Sequence, residues 1–177
     1  QQLTGTHFVI ENASDLLARK LEQSQPAAYI ERPDQYASFD QKDVHDKFKY
    51  YTPDTLSKEH AAHYNQQMDA LFKNYSALVE KLADHIKVTS SEPEEVRDET
   101  WRFAAKTQAS TIAQTVLPVA IKSTVGVFAS AQALESLIIH LQSDKLHEAQ
   151  TTGNALYSEA KKVIPNLLGG VNRPSQS

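Results

Sequence analysis

The chain has 177 residues, of which 40% are hydrophobic and 23% are charged, so it is long enough to bury the core of one globular domain. Its formal net charge of -4, with Lys and Arg interspersed among Asp and Glu, argues against a surface that binds nucleic acid or anionic lipid, and no apolar run approaches the roughly 20 residues that cross a bilayer. The absence of cysteine excludes disulfides and thiolate chemistry, and it leads us to expect a cytoplasmic protein in a reducing compartment.

The N-terminal part of the sequence predicts one strand and one helix. Residues 7–10 (HFVI) are short and β-leaning, and either Asn12 or Ser14 is expected to cap the helix that follows. Pro26 is expected to end that helix, because proline removes a helical hydrogen bond. One face of the predicted helix collects Leu16, Leu17 and Leu21.

Two short segments further along predict a hairpin. Residues 36–39 and 48–51 are rich in aromatic side chains, and they flank a polar turn at 41–46. Pro33 is expected to keep residues 31–35 irregular, since it restricts its own backbone and that of the residue before it. We therefore expect two antiparallel strands in this part of the chain.

The strongest periodic signal predicts a long helix over residues 57–86, with Ser57 at its N-terminus. Its apolar positions alternate by four and three, which gives one seam for helix–helix packing. That seam consists of Tyr64, Met68, Leu71, Tyr75, Leu78 and Leu82. His60 and His63 lie on the same helix, but their order differs from the H-E-x-x-H zinc motif, so we interpret them as a solvated or interface pair and expect no metal there.

A second long helix is predicted to begin at Pro93, in a run of glutamates that favours a helix N-terminus, and to end at the Leu117-Pro118 pair. Trp101 and Phe103 lie on this helix. We interpret both as anchors of the core or of an interface, because large aromatic side chains dominate the energetics of both.

The C-terminal third predicts one strand and two helices. Residues 121–128 form a β-rich run, and residues 131–141 and 148–163 are expected to be helical. Gly153 falls inside the last helix, where glycine costs about 1 kcal/mol relative to alanine.

The stretch AQTVLPVAIKSTVGVFASAQAL over residues 113–134 carries the most specific pattern in the chain. A Leu-Pro pair ends one helix, a β-rich run follows, and Ser130 opens the next helix. This arrangement resembles, without a gap, the A-R-x-x-L-P … N-x-R-S-L segment of the flavin-dependent thymidylate synthases (the ThyX family). In that resemblance the two arginines of the family fall on Gln114 and Gln132, and its asparagine falls on Ser130.

The N-terminal part resembles the same family independently. Glu11 and Asn12 lie in a turn like the family's E-G-x-S, and the signature R-H-R-x-x-S-x-x-E-x-S-x-R-Y falls on residues 23–36, where Glu31 and Tyr36 match it. The R-H-R becomes Gln23, Ser24 and Gln25, the last arginine becomes Gln35, and the two serines become Ala28 and Pro33. We call the motif positions the nine residues Gln23, Ser24, Gln25, Glu31, Gln35, Tyr36, Gln114, Ser130 and Gln132.

The resemblance implies a role for each motif position. In the family, the R-H-R group binds and orients the flavin, and further arginines hold and activate deoxyuridylate, which is methylated with a carbon from methylenetetrahydrofolate. Gln114 and Gln132 stand at catalytic positions, Gln23, Ser24, Gln25, Glu31 and Ser130 at flavin positions, and Gln35 and Tyr36 at substrate positions.

All five arginine positions of these motifs (23, 25, 35, 114 and 132) are glutamine in this chain. Glutamine resembles arginine in length and polarity but has no charge. A charged hydrogen bond is worth about 1.5–3 kcal/mol, so losing two on one phosphate removes roughly 3–6 kcal/mol of binding. We therefore expect no catalytic residue, cofactor or metal at the motif positions.

The resemblance implies an α+β fold, a helix-rich domain with a small, mostly antiparallel sheet. We expect a ThyX-like domain over residues 1–168 and a tail or linker over residues 169–177. The sequence lacks an initiator Met, and it has no counterpart of the strand and helix that open the family's fold, so we expect a fragment of a longer protein with these N-terminal elements missing.

The leading functional hypothesis is a non-catalytic, degenerate member of the family that acts as a structural or oligomerisation partner of a thymidylate synthase. It would form homo- or hetero-oligomers with ThyX-like chains, with no cofactor, nucleic acid or membrane as partner. One alternative is an active FAD-dependent enzyme with diverged residues or a site completed by another chain. A second alternative is a module whose cleft binds a different, less anionic ligand, since glutamine donates and accepts hydrogen bonds without charge.

Overall fold

The computed structural model describes residues 5–23, 27–31 and 39–163, which form five helices and three strands. In chain order these elements are β1 (Gly5–Ser14), α1 (Asp15–Glu22), β2 (Ala27–Glu31), α2 (Lys58–Thr89), α3 (Glu99–Ala113), β3 (Lys122–Ser130), α4 (Ala131–Gln142) and α5 (His147–Val163).

The three strands form one antiparallel sheet in the order β1-β3-β2. Alternate residues of β3 point to opposite faces, so Val125, Val127 and Ala129 are buried while Phe128 is exposed. The helix-rich α+β class with a small antiparallel sheet, predicted from the sequence, is confirmed.

The chain forms two compact units. The first comprises Gln1–Arg32, Pro53–Thr55 and Lys122–Ser177, and the second comprises Pro33–Thr52 and Leu56–Ile121. The predicted boundary between a domain and a tail at residue 168 lies outside the described residues. Across the described part of the chain, no helix has both the length and the apolar character needed to cross a membrane.

The core of the first unit lies between the sheet and three helices, α1, α4 and α5. Its largest fully buried aliphatic side chains are Leu17, Leu21, Val125, Leu134, Leu137, Ile138 and Leu141. Gly153 of α5 faces α4 so closely that an added Cβ would lie 2.9 Å from the Cβ of Leu141. The interior glycine therefore allows two helices to approach, which explains why it is present despite its low helix propensity.

The transition from β1 to α1 combines a bulge with a helix cap. The register of β1 on β3 shifts between Ile10 and Ala13, and Asn12 takes a φ of 59°, a left-handed conformation that asparagine tolerates better than most residues. Of the two predicted caps, Ser14 is the one that acts, because its Oγ accepts a hydrogen bond from the backbone N–H of Leu17 at 3.0 Å. β1 is longer than the predicted strand at 7–10.

The core of the second unit is aromatic. It contains Phe39, Phe48, Phe72, Tyr75 and Val79, packed with small residues of α3. Ser57 caps α2, as predicted, by accepting a hydrogen bond from the N–H of His60.

The predicted hairpin of residues 36–39 and 48–51 is wrong for its second strand. Residues 48–51 make only one isolated bridge, between Tyr50 and Ile121, because Phe48 packs on Phe72 with ring centroids 5.2 Å apart. Residues 36–38 lie outside the described part. The remaining strand of the sheet is instead β2, whose last residue, Glu31, had been predicted to be irregular.

The helix predicted from Pro93 begins later. Residues Glu94–Val96 form a short 3-10 turn, and α3 starts after Asp98, whose side chain accepts a hydrogen bond from the N–H of Trp101 at 2.8 Å. The Asp98 carboxylate thus satisfies one of the free N–H groups at the start of α3, whereas Pro93 has no side-chain acceptor to do so.

Candidate functional site

Three of the motif positions lie toward one end of the sheet in the first unit. β3 ends at Ser130, which pairs with Gly5 of β1, and the preceding Ala129 pairs with Ala27 of β2. Gln23, the C-cap of α1, lies four residues before Ala27, so at most about 14 Å of extended chain separates them. Gln132 lies in the first turn of α4, directly after Ser130.

The side chain of Ser130 has a structural role. It is the N-cap of α4, and its Oγ accepts a hydrogen bond from the backbone N–H of Ala133 at 3.2 Å. The strand-to-helix turn that the sequence predicted is thus fixed by the Ser130 hydroxyl.

Gln132 and Gln23 have exposed side chains at the ends of helices. The backbone carbonyl of Gln132 accepts a hydrogen bond from the Ser136 hydroxyl at 3.1 Å, and the backbone N–H of Gln23 donates to the carbonyl of Arg19 at 3.3 Å. Their amide groups carry no charge, so neither side chain supplies a cation at this end of the sheet.

The cations nearest to Gln23 along the chain are bound to carboxylates. Arg19 Nε lies 2.8 Å from Asp15, and Lys20 Nζ lies 2.6 Å from Asp144. The pKa of Asp144 is lowered chiefly by the hydrogen bond that its carboxylate accepts from Lys20. A hydrogen bond from the backbone N–H of Leu146 lowers it further. Both cations are therefore partly neutralised where they stand.

Glu31 and Lys122 lie away from Ser130. Glu31 ends β2 and pairs with Val125, about 13 Å along the strand from the pair formed by Ala27. Lys122 begins β3, about 26 Å along that strand from Ser130. Lys122 is thus at the opposite end of β3 from Ser130.

Gln114 belongs to the second unit. It follows α3, its N–H donates to the carbonyl of Ser110, and its own carbonyl accepts from the N–H of Leu117 at 2.9 Å. It thus lies in the tight turn before Pro118, where the sequence placed the helix stop. The motif positions Ser24, Gln25, Gln35 and Tyr36 lie outside the described residues.

A surface cleft of about 710 Å³ in the second unit has a basic and aromatic lining. Its lining comprises Lys87, Val88, Glu94, Arg97, Trp101 and Arg102. Arg97 donates from Nη1 to the carbonyl of Lys87 at 2.9 Å and from Nη2 to the carbonyl of Glu92 at 2.6 Å, while its guanidinium lies 5.0 Å from the ring of Trp101. Arg97 therefore closes the turn between α2 and α3 and is not free to bind an anion.

The histidines take part in local contacts. His60 Nδ1 lies 3.0 Å from the Ser57 hydroxyl, and His147 Nε2 lies 3.4 Å from Asp54. Within residues 5–23, 27–31 and 39–163, no three His, Asp or Glu side chains are grouped in a way that would hold a metal ion.

Sequence reasoning missed one buried carboxylate. Glu148, in the first turn of α5, is 7% exposed, and its two oxygens accept hydrogen bonds from the backbone N–H and the hydroxyl of Ser14. The sequence signalled only an acidic residue near a helix start, which is usually solvated. Its full satisfaction by the α1 cap indicates a structural role.

The sequence matches a known family over nearly its whole length. The family profile described as Thymidylate synthase complementing protein matches residues 2–166. A UPF0159 protein from Chlamydia muridarum (strain MoPn / Nigg) is 25% identical over 169 residues, and a UPF0159 protein from Chlamydia pneumoniae is 26% identical over the same length. Each alignment covers 94% of this chain and 32% of the relative, so the chain spans about a third of the length of the curated relatives it matches.

Solved structures share the fold. The flavin-dependent thymidylate synthase ThyX from Helicobacter pylori, complexed with FAD and dUMP, is 15% identical with a TM-score of 0.64 and covers 96% of this chain and 73% of its own. The UMP/dUMP methylase PolB from Streptomyces cacaoi, bound with 5-Br UMP, is 14% identical with a TM-score of 0.60 and covers 93% of this chain and 71% of its own. At these identities the likeness establishes the fold.

Proposed function

Because this chain belongs to the thymidylate synthase complementing protein family, we propose that it is a non-catalytic member, a structural or oligomerisation partner of a thymidylate synthase. The observation that carries this proposal is the uncharged end of the sheet in the first unit. Gln23, Ser130 and Gln132 stand there in place of residues that the resemblance assigns to anionic ligands, and the Ser130 hydroxyl is used by a helix cap.

FAD and dUMP, which are bound in the Helicobacter pylori structure, are both anionic through their phosphates. Gln23, Ser130 and Gln132 offer neutral amides and a hydroxyl, and Arg19 and Lys20 are held by carboxylates. A phosphate that loses two charged hydrogen bonds loses roughly 3–6 kcal/mol, which corresponds to about 10² to 10⁴ in affinity. These residues therefore do not fit either ligand electrostatically.

Isothermal titration calorimetry with FAD and dUMP, separately and together, tests this proposal. We expect no heat of binding up to about 1 mM of either ligand. A catalytic member of the family serves as the positive control, and the Gln23→Arg/Gln132→Arg variant measures how much affinity charge alone restores. Micromolar binding by the unmodified chain would contradict the proposal.

The structural part of the role has its own test. The chain should form a complex with a catalytic member of the family when the two are mixed, as measured by sedimentation velocity. Separate boundaries for the two proteins at micromolar concentrations would mean that the chain is not a partner of that synthase.

A flavoenzyme that completes its site with residues from another chain is the second candidate, favoured by the fold shared with the FAD-bound structure. The visible absorbance of oxidised flavin in freshly purified protein distinguishes it. A module for a neutral ligand is the third, favoured by the exposed amides of Gln23 and Gln132, and it predicts binding of uncharged nucleosides without binding of their phosphates.

A further inference from the structure

The surface cleft of the second unit has charges of both signs in its lining. Its volume of about 710 Å³ falls in the range of small-molecule sites, which is about 300–1,000 Å³. Lys87, Arg97 and Arg102 supply three cations, and Glu94 supplies one carboxylate. None of the described motif positions lies in this lining, and the proposed structural role does not use it.

Arg97 gives the cleft a fixed wall. Its guanidinium donates four hydrogen bonds to the backbone carbonyls of Lys87, Ser90 and Glu92. The same group lies over the ring of Trp101, 5.0 Å from its centroid. The turn and the ring are therefore held in place without a ligand, which lowers the entropy cost of binding one.

Two charged side chains of the lining have no partner in the part of the chain that the structure describes. The side chains of Arg102 and Glu94 make no hydrogen bond or ion pair there, with each other or with any other described residue. Lys87 differs from them, because its ammonium lies 3.3 Å from the carboxylate of Asp84. A guanidinium and a carboxylate that share a cleft without pairing can each pair with an opposite charge on one ligand.

The cleft also has an apolar part. Val88 is 84% exposed, and Trp101 is half-buried. Small-molecule sites combine apolar and aromatic side chains with a few polar groups that fix the orientation of the ligand. The lining of this cleft has that composition, so it favours a ligand with an apolar group as well as charges.

We propose that this cleft binds an apolar α-amino acid in its zwitterionic form. The Arg102 guanidinium pairs with the α-carboxylate through the planar fork that arginine presents to carboxylates. The Glu94 carboxylate accepts hydrogen bonds from the α-ammonium group, and the side chain of the ligand packs on Val88 and Trp101. A simple anion such as a phosphate would pair with Arg102 but would face the like charge of Glu94, which selects against it.

Trp101 supplies a built-in test, because it is the sole tryptophan of the chain and its fluorescence reports on this cleft. L-Phenylalanine is the probe, since it does not absorb at wavelengths that excite tryptophan. Ion pairs exposed to water are weak, so we expect a saturable change in fluorescence with a dissociation constant of about 0.1–1 mM. No change up to about 20 mM phenylalanine would overturn the proposal.

Three analogues separate the zwitterion from its parts. 3-Phenylpropionate lacks the ammonium group, 2-phenylethylamine lacks the carboxylate, and glycine lacks the apolar group. Each should bind at least about fivefold more weakly than phenylalanine, because each loses one of the three contacts. Equal binding of any one analogue would overturn the proposal, since the cleft would then not recognise the complete amino acid.

Two variants locate the charges. Arg102→Ala should weaken phenylalanine binding at least about fivefold and leave the weak binding of 2-phenylethylamine unchanged. Glu94→Gln should weaken phenylalanine binding similarly, without weakening the binding of 3-phenylpropionate. Both residues are exposed, so we expect both variants to fold, which urea unfolding checks.

Lys73→Ala is the matched control, because Lys73 is exposed on α2 and does not line the cleft. This variant should bind phenylalanine as the unmodified chain does. Phenylalanine binding that is equal in the control and in both cleft variants would overturn the proposal. The non-catalytic role is tested separately, because calorimetric binding of FAD or dUMP would refute it without changing the response of Trp101 to phenylalanine.

Discussion

Glu148 and Ser14 are joined by two hydrogen bonds although 134 positions separate them in the sequence. The backbone N–H of Ser14 donates to Oε1 at 2.8 Å, and its hydroxyl donates to Oε2 at 2.6 Å. Since Ser14 also caps α1, the carboxylate lies at the positive end of that helix dipole. One buried acidic group of α5 therefore fixes the start of α1.

Loss of this contact should destabilise the fold strongly. Glu148→Ala leaves the Ser14 N–H buried without its acceptor, and we expect the free energy of unfolding to fall by about 2–4 kcal/mol in urea denaturation. Glu148→Gln retains one acceptor oxygen and should lose less. The control is Glu159→Ala, on the exposed side of α5, which should change stability by less than about 0.5 kcal/mol. Equal effects of Glu148→Ala and Glu159→Ala would contradict the role of the buried carboxylate.

Gly153 should resist replacement despite its low helix propensity. The added methyl group of Gly153→Ala would meet Leu141 at 2.9 Å and the backbone of Gln142 at 3.1 Å, so α4 and α5 must separate. We expect a net loss of up to about 2 kcal/mol, measured by thermal or urea unfolding. Gly126→Ala is the matched control, because its Cβ would meet Ile30 only at 3.5 Å or more, and it should be neutral or gain up to about 1 kcal/mol. A more stable Gly153→Ala protein would show that the helices are loosely packed.

Tyr50 should make the free energy of unfolding decrease as the pH rises into the alkaline range. Burial raises its pKa, and the hydrogen bond from its hydroxyl to Asp69 at 2.9 Å raises it further. The folded state therefore holds this proton at pH values where the unfolded chain, with a tyrosine pKa of about 10, loses it. Stability from this group is complete below about pH 10 and falls as the pH rises above it.

Tyr50→Phe should make that alkaline decline less steep, as followed by urea denaturation at increasing pH. A part of the decline should remain, since burial also raises the pKa of Tyr75. Asp69→Asn removes the carboxylate, so ultraviolet titration should show Tyr50 ionising at a lower pH than in the unmodified protein. An unchanged titration curve in Asp69→Asn would remove Asp69 as a cause.

Arg97 should be a structural residue of the cleft between α2 and α3. It donates to the carbonyls of Lys87, Ser90 and Glu92, which Arg97→Ala leaves without that partner. We expect a loss of about 1–3 kcal/mol in the free energy of unfolding, with little rescue by Arg97→Lys, because lysine lacks the planar fork. Arg102→Ala removes another cation of the same cleft and should stay within about 0.5 kcal/mol of the unmodified chain. A larger effect at Arg102 than at Arg97 would reverse this assignment.

Local signals in the sequence were sufficient for most helices. Ser14, Ser57 and the Leu117-Pro118 pair act within three or four residues of themselves, so their caps and stops can be read without tertiary information. The hairpin prediction was wrong for residues 48–51, because aromatic residues occur both in strands and in loops that pack on helices. Phe48 lies against Phe72 of α2, a contact that no local pattern encodes.

Some features of the candidate site can likewise be predicted from the sequence, and others cannot. The glutamines at the motif positions can be read directly from the sequence, whereas their correspondence to arginines of the family stays a prediction from the resemblance. The roles of Glu148 and Arg97 depend on distant backbone groups that only the fold brings close.

The pairing of Gly5 with Ser130 has a consequence for biosynthesis. A ribosome that adds 5–20 residues per second needs roughly 6–25 s between these two positions, and β1 has no partner during that interval. The second unit is complete once Ile121 has been made, and its contacts between α2 and α3 are close in sequence, which favours rapid folding. The nascent chain therefore contains the complete second unit before β3, the partner strand of β1, has been synthesised.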